Sequence, residues 1–453
     1  MNPQLLRDTL ADLDQHLLER DVPVRLLLLG ALAGEHVLLV GPPGTAKSEL
    51  ARRLHRVFTG AKYFERLLTR FSVPEELFGP LSLSALEADR YERLTEGFLP
   101  CAQVAFLDEV FKANSAILNT LLTLLNEREF DNGNGRVKVP LISVVAASNE
   151  VPEDEALRAF YDRFLLRAPL SPVSEASFTA LLALPAQMPA VPARISATER
   201  EHLQQQAPNV LLPEAVTTLL VRARAWCSAQ SVVVSDRRWR KLVALLKVQA
   251  ASRAARAVDA WDLWLLPFAL ADKPELGELL VQWFMHTVAQ ALPLDAQWLT
   301  RAVEAFEKQL EIEQRMPSTD DEGAGKLALA RAIAGERADS EDSMLRIVSE
   351  RTKRRYSQVH VDARLSQVAE ALECAQATLA AVQAAQHTAL AHGRAHLWLP
   401  PSWLARIAAV HHANYLLATQ LHQRLLDIQQ GFAALPIEPS ASAELPEPIA
   451  LAA

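Results

Sequence analysis

The sequence of 453 residues has few cysteines, few aromatic residues and no long hydrophobic run. Its three cysteines, Cys101, Cys227 and Cys374, lie far apart, and none belongs to a CxxC pair. This argues against a disulfide framework or a cysteine-based zinc site and favours a reducing compartment. Aromatic residues make up 6% of a chain that is 50% hydrophobic, so the core is expected to consist mainly of Leu, Ala and Val.

Membrane spans and broad nucleic-acid binding are not expected either. The longest apolar stretch, Leu26–Gly34, is about half of what a bilayer-spanning helix needs. Residues 1–16 mix Asp and Arg among their apolar positions, so they lack the uninterrupted apolar core of a signal peptide. The net charge of −8 argues against a nucleic-acid partner. We expect a cytoplasmic protein.

The pattern along the chain predicts an α/β domain followed by helical ones. Residues 1–170 alternate short β-rich runs with helical patterns, which is typical of a parallel sheet. A proline-punctuated linker over 171–192 then leads to an all-helical domain over 193–292. Heptad spacings over 293–435 predict three long helices in a bundle or coiled-coil hairpin, and the tail 436–453 is expected to be disordered. The predicted strands are His36–Val40, Val104–Leu107, Leu141–Ala146 and Phe164–Leu166, with a hairpin at Phe130–Val139.

A glycine-containing turn follows the first predicted strand and leads into a helix. Such a turn aims backbone N–H groups at an anion, and the helix dipole favours negative charge there. In this motif Lys47 reaches the β- and γ-phosphates and the Ser48 hydroxyl ligates Mg²⁺. Ala46 replaces the last glycine of the usual pattern, which is tolerable if that residue already has helical geometry. The predicted ATP-binding residues are Gly41, Pro42, Pro43, Gly44, Thr45, Ala46, Lys47 and Ser48.

Polar side chains follow two further strands of the predicted sheet. Val104–Leu107 ends in Asp108 and Glu109, which we interpret as a Mg²⁺ ligand and as the base that orients the attacking water. The next buried strand ends at Asn149. Because the carboxyl ends of parallel strands meet at one sheet edge, Asn149 is expected beside Asp108, where it could position the water.

Five segments, in order, resemble the MoxR family of AAA+ ATPases, and in particular its RavA branch. They are LLLLGALAGEHVLLVGPPGTAKSELARRL, TRFSVPEELFGPLSL, RYERLTEGFLP, VAFLDEVFKANSAILNTLLTLLNEREF and AASNE…ALRAFYDRF. The resemblance implies an AAA+ αβα nucleotide-binding domain, an all-α lid and a helical arm. It also implies an Mg-ATP hydrolase that works as a ring, most often a hexamer, in a chaperone-like role. A partner with a von Willebrand factor A domain is implied as well.

The resemblance further assigns two arginines and two inserts. Arg163 is similar to the arginine finger that a neighbouring subunit supplies, with Arg158 and Arg167 as nearby alternatives. Arg237 is similar to the sensor-2 arginine that acts within its own chain, with Arg238 as the alternative. The insert Leu81–Gly97 and the hairpin Phe130–Val139 are expected to line the pore of the ring.

One feature departs from the RavA branch, and two other functions stay open. RavA proteins insert a β-rich module that docks an inducible lysine decarboxylase. Here only about 45 residues, Pro317–Val361, stand at that place, and they read as acidic and helical, so a lysine decarboxylase partner is not carried over. A DNA-dependent motor is disfavoured because Leu81–Gly97 carries four acidic and two basic residues. A nucleotide-gated scaffold with little hydrolysis is the other alternative.

Overall fold

The computed structural model describes residues 1–133, 135–152, 154–185, 190–316, 354–438 and 445–449. Two compact units are formed, one from residues 1–290 with 391–406 and one from the described parts of 291–390 and 407–453. The predicted arm, 293–435, is therefore divided, because its residues 391–406 pack within the first unit. Most of the segment Pro317–Val361 lies outside the described residues.

A five-stranded parallel sheet forms the centre of the first unit. Its order is β2-β3-β6-β1-β7, and a separate antiparallel hairpin joins β4 to β5. The predicted α/β fold, its four strands and the hairpin are thus confirmed. Strand β2 was not predicted, because this short edge strand carries two adjacent charged residues, Glu65 and Arg66, and shows no alternation. The strands are β1 Val37–Val40, β2 Tyr63–Leu67, β3 Val104–Asp108, β4 Glu129–Asn132, β5 Gly135–Lys138, β6 Ser143–Ser148 and β7 Leu166–Pro169.

Helices cover the sheet and make up the rest of the unit. The longest apolar run forms a helix, α2, that is buried from Pro23 to Leu32. No helix within the described ranges is long and apolar enough to cross a membrane. The helices are α1 Pro3–Asp14, α2 Asp21–Ala33, α3 Lys47–Val57, α4 Pro74–Phe78, α5 Leu83–Leu86, α6 Ser115–Glu127, α7 Glu155–Tyr161, α8 Glu175–Leu182, α9 Ala197–Gln206, α10 Glu214–Ala229, α11 Asp236–Ser252, α12 Leu266–Leu270 and α13 Pro274–Thr287.

The second unit is a helical bundle, as the heptad spacings predict. It contains α14 Gln297–Arg315 and most of α15 Gln358–Ala395 and α16 Pro401–Ala433. Its core includes heptad positions of all three helices, among them Leu299, Val368 and Leu421.

Part of the predicted disordered tail is ordered. The Tyr356 amide donates to the Pro436 carbonyl at 2.9 Å, and Arg364 Nη1 donates to the Glu447 carbonyl at 2.8 Å. Residues 439–444 and 450–453 of that tail lie outside the described residues.

A buried histidine just before β1 connects that strand to β6 and to α6. His36 is 2% exposed, its Nδ1 accepts the Val144 amide at 3.0 Å, and its Nε2 lies 3.1 Å from the Leu125 carbonyl. The Nε2 nitrogen must therefore carry the proton of a neutral ring. A second proton on Nδ1 would face the Val144 N–H, donor against donor. Burial, followed by repulsion from Arg128, holds the pKa of His36 well below its ordinary value.

We expect His36 to make the first unit less stable in mild acid. The unfolded chain takes up a proton below pH of about 6.5, whereas the folded chain does not, so stability falls as the pH drops below that value. The slope should approach about 1.4 kcal/mol per pH unit. Urea unfolding between pH 7.5 and 5 would measure it for wild type and for His36→Gln. His36→Gln should lose this pH dependence of the unfolding free energy, whereas His202→Gln, at an exposed position on α9, should keep it. Equal slopes for wild type and His36→Gln would contradict the expectation.

Candidate nucleotide-binding site

The register of the sheet brings the predicted site residues to one edge. Leu107 of β3 pairs with Ala146 of β6, and Val40 of β1 pairs with Ser148 of β6. The three strands therefore end side by side, and the residues that follow them share the edge. The amide of Gly41 continues this register by donating to the Ser148 carbonyl at 3.0 Å.

The loop after β1 turns tightly against β7, and glycine is required at its start. A Cβ on Gly41 would lie 2.0 Å from the Leu170 carbonyl oxygen. Gly44 has a φ of 79°, in the left-handed region that glycine tolerates. Inside the turn, the Thr45 hydroxyl donates to the Pro42 carbonyl at 2.9 Å. These features fix the backbone of the loop just before the first turn of α3.

Ala46 does not meet the condition of helical geometry under which an alanine would be tolerated without cost. Helix α3 begins at Lys47, and Ala46 precedes it with φ 66° and ψ 27°, in the left-handed region. A methyl group there is tolerated at a cost, because the left-handed conformation crowds Cβ against the backbone. The missing glycine is therefore a source of local strain.

Lys47 is buried at the edge of the sheet and held by three oxygens. Its Nζ donates to the carbonyls of Gly41 at 2.5 Å and Pro42 at 3.2 Å, and to Asn149 Oδ1 at 3.0 Å. Burial lowers the pKa of Lys47, and the nearby Asp108 and Glu109 carboxylates oppose that shift. The ammonium group thus lies where a phosphate chain over the loop would be bound.

Asn149 links Lys47 to Glu109. Its Nδ2 donates to Glu109 Oε1 while its Oδ1 accepts from Lys47, so both ends of the amide are used. Lys112 Nζ lies 3.2 Å from the other oxygen of Glu109. The Glu109 amide donates to Asp108 Oδ1 at 3.0 Å, and Glu109 has a left-handed φ of 53° that turns it out of the strand. The structure therefore brings together Lys47, Asp108, Glu109 and Asn149, as predicted.

The residues present fit a magnesium ion. Ser48 lies in the first turn of α3, and Asp108 ends the strand against which that helix packs. Hydroxyl and carboxylate oxygens are the hard ligands that Mg²⁺ prefers, and the ion commonly takes its remaining ligands from water and phosphate.

One arginine of the site, Arg20, was not predicted. Arg20 is 5% exposed, its Nε donates to the Thr45 carbonyl at 3.2 Å, and its Nη2 donates to the Ser171 carbonyl at 2.8 Å. It therefore fixes residues 41–48, the phosphate loop, from the N-terminal side of the chain. No local pattern sets this arginine apart from others in the chain.

The arginines taken from the family resemblance lie in different surroundings. Arg167 donates to the Ala271 carbonyl at 3.0 Å, and its guanidinium lies 3.9 Å from the centre of the Tyr161 ring, so it is engaged within the chain. Arg163 is half-buried, and its Nε has no hydrogen-bond partner among the described residues. Arg158 is exposed. Arg163 and Arg158 thus stay candidates for a residue that acts on a neighbouring subunit.

Neither sensor-2 candidate has a hydrogen bond to residues 41–48 within the described part of the chain. Arg237 donates to Asn126 at 2.9 Å, near the end of α6. That helix has 13 residues and begins a few residues after Glu109. At 1.5 Å per residue, its far end lies about 20 Å from its start. Arg238 is buried and donates to the carbonyls of Phe164 and Leu165 at 3.0 and 2.8 Å. The prediction that Arg237 acts on the nucleotide of its own chain therefore finds no support in this geometry.

The two predicted inserts touch one another. The Arg93 amide in Leu81–Gly97 donates to Asn132 Oδ1 of the β4–β5 hairpin at 2.7 Å. Both inserts expose apolar side chains, among them Leu83, Leu94 and Val137. Their position at a ring pore stays a prediction.

A cavity of about 650 Å³ continues from the phosphate loop. Gly41 and Asn149 lie at one end, and further walls come from residues 19–23, from β7 and from helices α12 and α13. The volume is within the range of small-molecule sites, roughly 300–1,000 Å³. The cavity can take the part of a nucleotide that extends beyond its phosphates.

These features define the class of the protein. A parallel sheet carries a phosphate loop after β1, two acidic residues at the end of β3 and an asparagine after β6, beside a helical domain. The chain therefore has a P-loop nucleotide-binding fold of the AAA+ type.

Comparison with known proteins identifies the family. Residues 4–206 match the model of the MoxR domain in the MoxR-vWA-beta-propeller ternary systems, and residues 215–284 match the AAA lid domain. The chain thus contains a MoxR-family AAA+ ATPase domain followed by an AAA lid domain. The RavA branch is not established by these matches.

The chain is also similar to individual proteins. An uncharacterized protein of Methanocaldococcus jannaschii is 41% identical over 271 residues, which are 60% of this chain and 70% of that protein. The chaperone MoxR1 of Mycobacterium tuberculosis is 27% identical over 209 residues, which are 45% of this chain and 54% of that protein. The crystal structure of a candidate ATPase from Cytophaga hutchinsonii has the same fold, with a TM-score of 0.51 at 16% identity, over 62% of this chain and 94% of that one.

Replacing Ala46 by glycine should stabilise the first unit. The substitution removes the left-handed strain but adds freedom to the unfolded chain, which leaves a net gain of about 0.5–1 kcal/mol. Urea or thermal unfolding would measure the gain. Ala225→Gly, at an exposed right-handed position inside α10, is the matched control and should lose up to about 1 kcal/mol. Equal losses for both variants would show that Ala46 is not strained.

Proposed function

We propose that the chain binds and hydrolyses Mg-ATP. The observation that carries this proposal is the hydrogen-bonded row Lys47–Asn149–Glu109 beside a phosphate loop and next to Asp108. Lys47 and the N–H groups at the start of α3 bind the phosphates. Mg²⁺, held by Ser48 and Asp108, would neutralise charge on the β- and γ-phosphate oxygens.

Glu109 acts as the base in this proposal. A water molecule attacks the γ-phosphorus, its proton passes to a Glu109 carboxylate oxygen, and the bond to the β-phosphate oxygen breaks to leave ADP. Asn149 orients the Glu109 carboxylate by donating to Oε1. Lys112 Nζ lies 3.2 Å from the other oxygen of Glu109, so the carboxylate is held in place from both sides.

The complete site needs a second copy of the chain. Arg163 would reach the γ-phosphate of a neighbouring subunit, where its planar fork matches phosphate oxygens. Arg163 is preferred to Arg167 for this role, because Arg167 donates to the Ala271 carbonyl and lies over the Tyr161 ring of its own chain. The family resemblance suggests a hexameric ring, and the assignment of Arg237 as its sensor-2 arginine stays a hypothesis.

The proposed task of the ring is to remodel a partner protein with a von Willebrand factor A domain. Support comes from the description of the matched MoxR model, which names ternary systems with vWA and β-propeller components, and from the chaperone name of the mycobacterial relative. The RavA branch stays a hypothesis. A lysine decarboxylase partner is not proposed.

Two substitutions separate nucleotide binding from hydrolysis. Lys47→Ala should abolish ATP binding, measured by calorimetry, because it removes the buried cation of the loop. Glu109→Gln should keep ATP binding and lower turnover by about 10²–10⁴-fold. Glu214→Gln, on the exposed start of α10, is the control and should behave as wild type. Unchanged turnover in Glu109→Gln would mean that Glu109 is not the base. ATP binding with little turnover in wild type would favour the scaffold alternative, and turnover that requires DNA would favour the motor.

Mixing two inactive variants tests the shared site. Arg163→Ala should lose about 10³–10⁵-fold in turnover, as expected for an arginine finger. Adding Glu109→Gln subunits should restore activity, because roughly a quarter of the interfaces in a random ring then combine an intact Glu109 with an intact Arg163. Arg158→Ala mixed in the same way is the comparison. Full activity of Arg163→Ala alone would assign the finger elsewhere.

A further inference from the structure

The turn between α15 and α16 is firmly anchored in the first unit. His396 Nε2 lies 3.0 Å from Oδ1 of the fully buried Asp262, and Trp398 Nε1 donates to Ser252 Oγ at 2.8 Å. The Trp403 ring packs against Phe284, with ring centres 5.1 Å apart. More than a hundred residues separate this segment from the lid helices in the sequence, yet it forms part of their core.

The first turns of α16 also form one wall of the cavity beside the phosphate loop. Ser402, Trp403 and Arg406 line the same space as Gly41 and Asn149. The phosphate loop fixes where the charged end of a nucleotide lies. The wall formed by α16 therefore faces the part of the cavity that is left for the sugar and the base.

Two hydrogen bonds connect this wall to α2 and to α13. The Ser402 amide donates to Asp21 Oδ2 at 2.8 Å, at the start of α2. Because the first amides of a helix have no partner within it, Asp21 acts as the capping acceptor of α16. Arg406 Nη2 donates to Glu278 Oε1 on lid helix α13. The first turns of α16 thus join the core to the lid at the cavity.

The chemistry of the cavity fits a nucleoside. Pro23, Val40, Leu170, Phe268 and Trp403 offer apolar surface to a planar base. Charged and polar groups at Asp21, Glu278 and Arg406 surround it and can meet the hydroxyls of a ribose.

We propose that residues 401–406 form the nucleoside-side wall of the nucleotide site, so that nucleotide affinity depends on the docked start of α16. This inference rests on the proposed nucleotide binding at the phosphate loop. By linkage, a bound nucleotide stabilises the docked turn by as much as the turn strengthens nucleotide binding.

Binding of ATP and of inorganic triphosphate tests the proposal. Arg406→Ala should weaken ATP binding by about five- to tenfold, because it frees the wall from the lid, and should leave triphosphate binding unchanged. Arg394→Ala is the matched control, since Arg394 is an exposed arginine of the same segment that does not line the cavity. Equal ATP affinity in Arg406→Ala and wild type, or an equal loss for both ligands, would overturn the proposal. Wild type that binds neither ligand would refute the phosphate-loop assignment instead.

A second pair of variants isolates the cap on α16. Ser402→Pro removes the amide that Asp21 accepts, at a helix position where proline is tolerated, whereas Ser402→Ala keeps that amide. Only the proline variant should weaken ATP binding. In wild type, hydrogen exchange of residues 396–406 should slow when ATP is added, and it should not slow in Lys47→Ala. Exchange that ignores ATP, or equal ATP affinities of the two Ser402 variants, would also overturn the proposal.

Discussion

The side-chain amide of Asn149 holds the two chemical groups of the site apart. It accepts from Lys47 and donates to Glu109, so the cation and the carboxylate are joined through a neutral group. A direct ion pair would let each neutralise the other, and neither would be free for a phosphate or a water. The arrangement depends on the register of β1, β3 and β6, because only strands that end level can present their following residues to one another.

The parts of this site that follow from the sequence are those whose signal is local. The phosphate loop, the acids after β3 and Asn149 each directly follow a buried strand, and the rule for parallel sheets then places them together. Arg20 could not be predicted, because its partners Thr45 and Ser171 are set by packing and not by spacing. The same holds for Ser402 and Arg406, whose heptad pattern indicates a helix but not where its first turn docks.

Two neighbouring arginines of α11 have different surroundings in the fold. Arg237 and Arg238 are neighbours on α11 and therefore point in different directions. Arg238 donates to carbonyls at the start of β7, and burial lowers its pKa to about 10. It ties the lid to the core, while Arg237 points toward the end of α6. Sequence similarity identifies the segment that contains both arginines, but the fold determines the contacts that each side chain makes.

Two residues at the nucleotide site that are not glycine have left-handed backbones, and the reason differs between them. Ala46 and Glu109 both have left-handed backbones although neither is glycine, and such positions persist where the surrounding structure holds them. For Glu109 the reason lies in its contacts, because the turn directs its carboxylate to Asn149 and Lys112. Ala46 has no comparable side-chain contact to gain. Its strain is tolerated because the helix start at Lys47 and the buried Arg20 on the Thr45 carbonyl fix the backbone on either side of it.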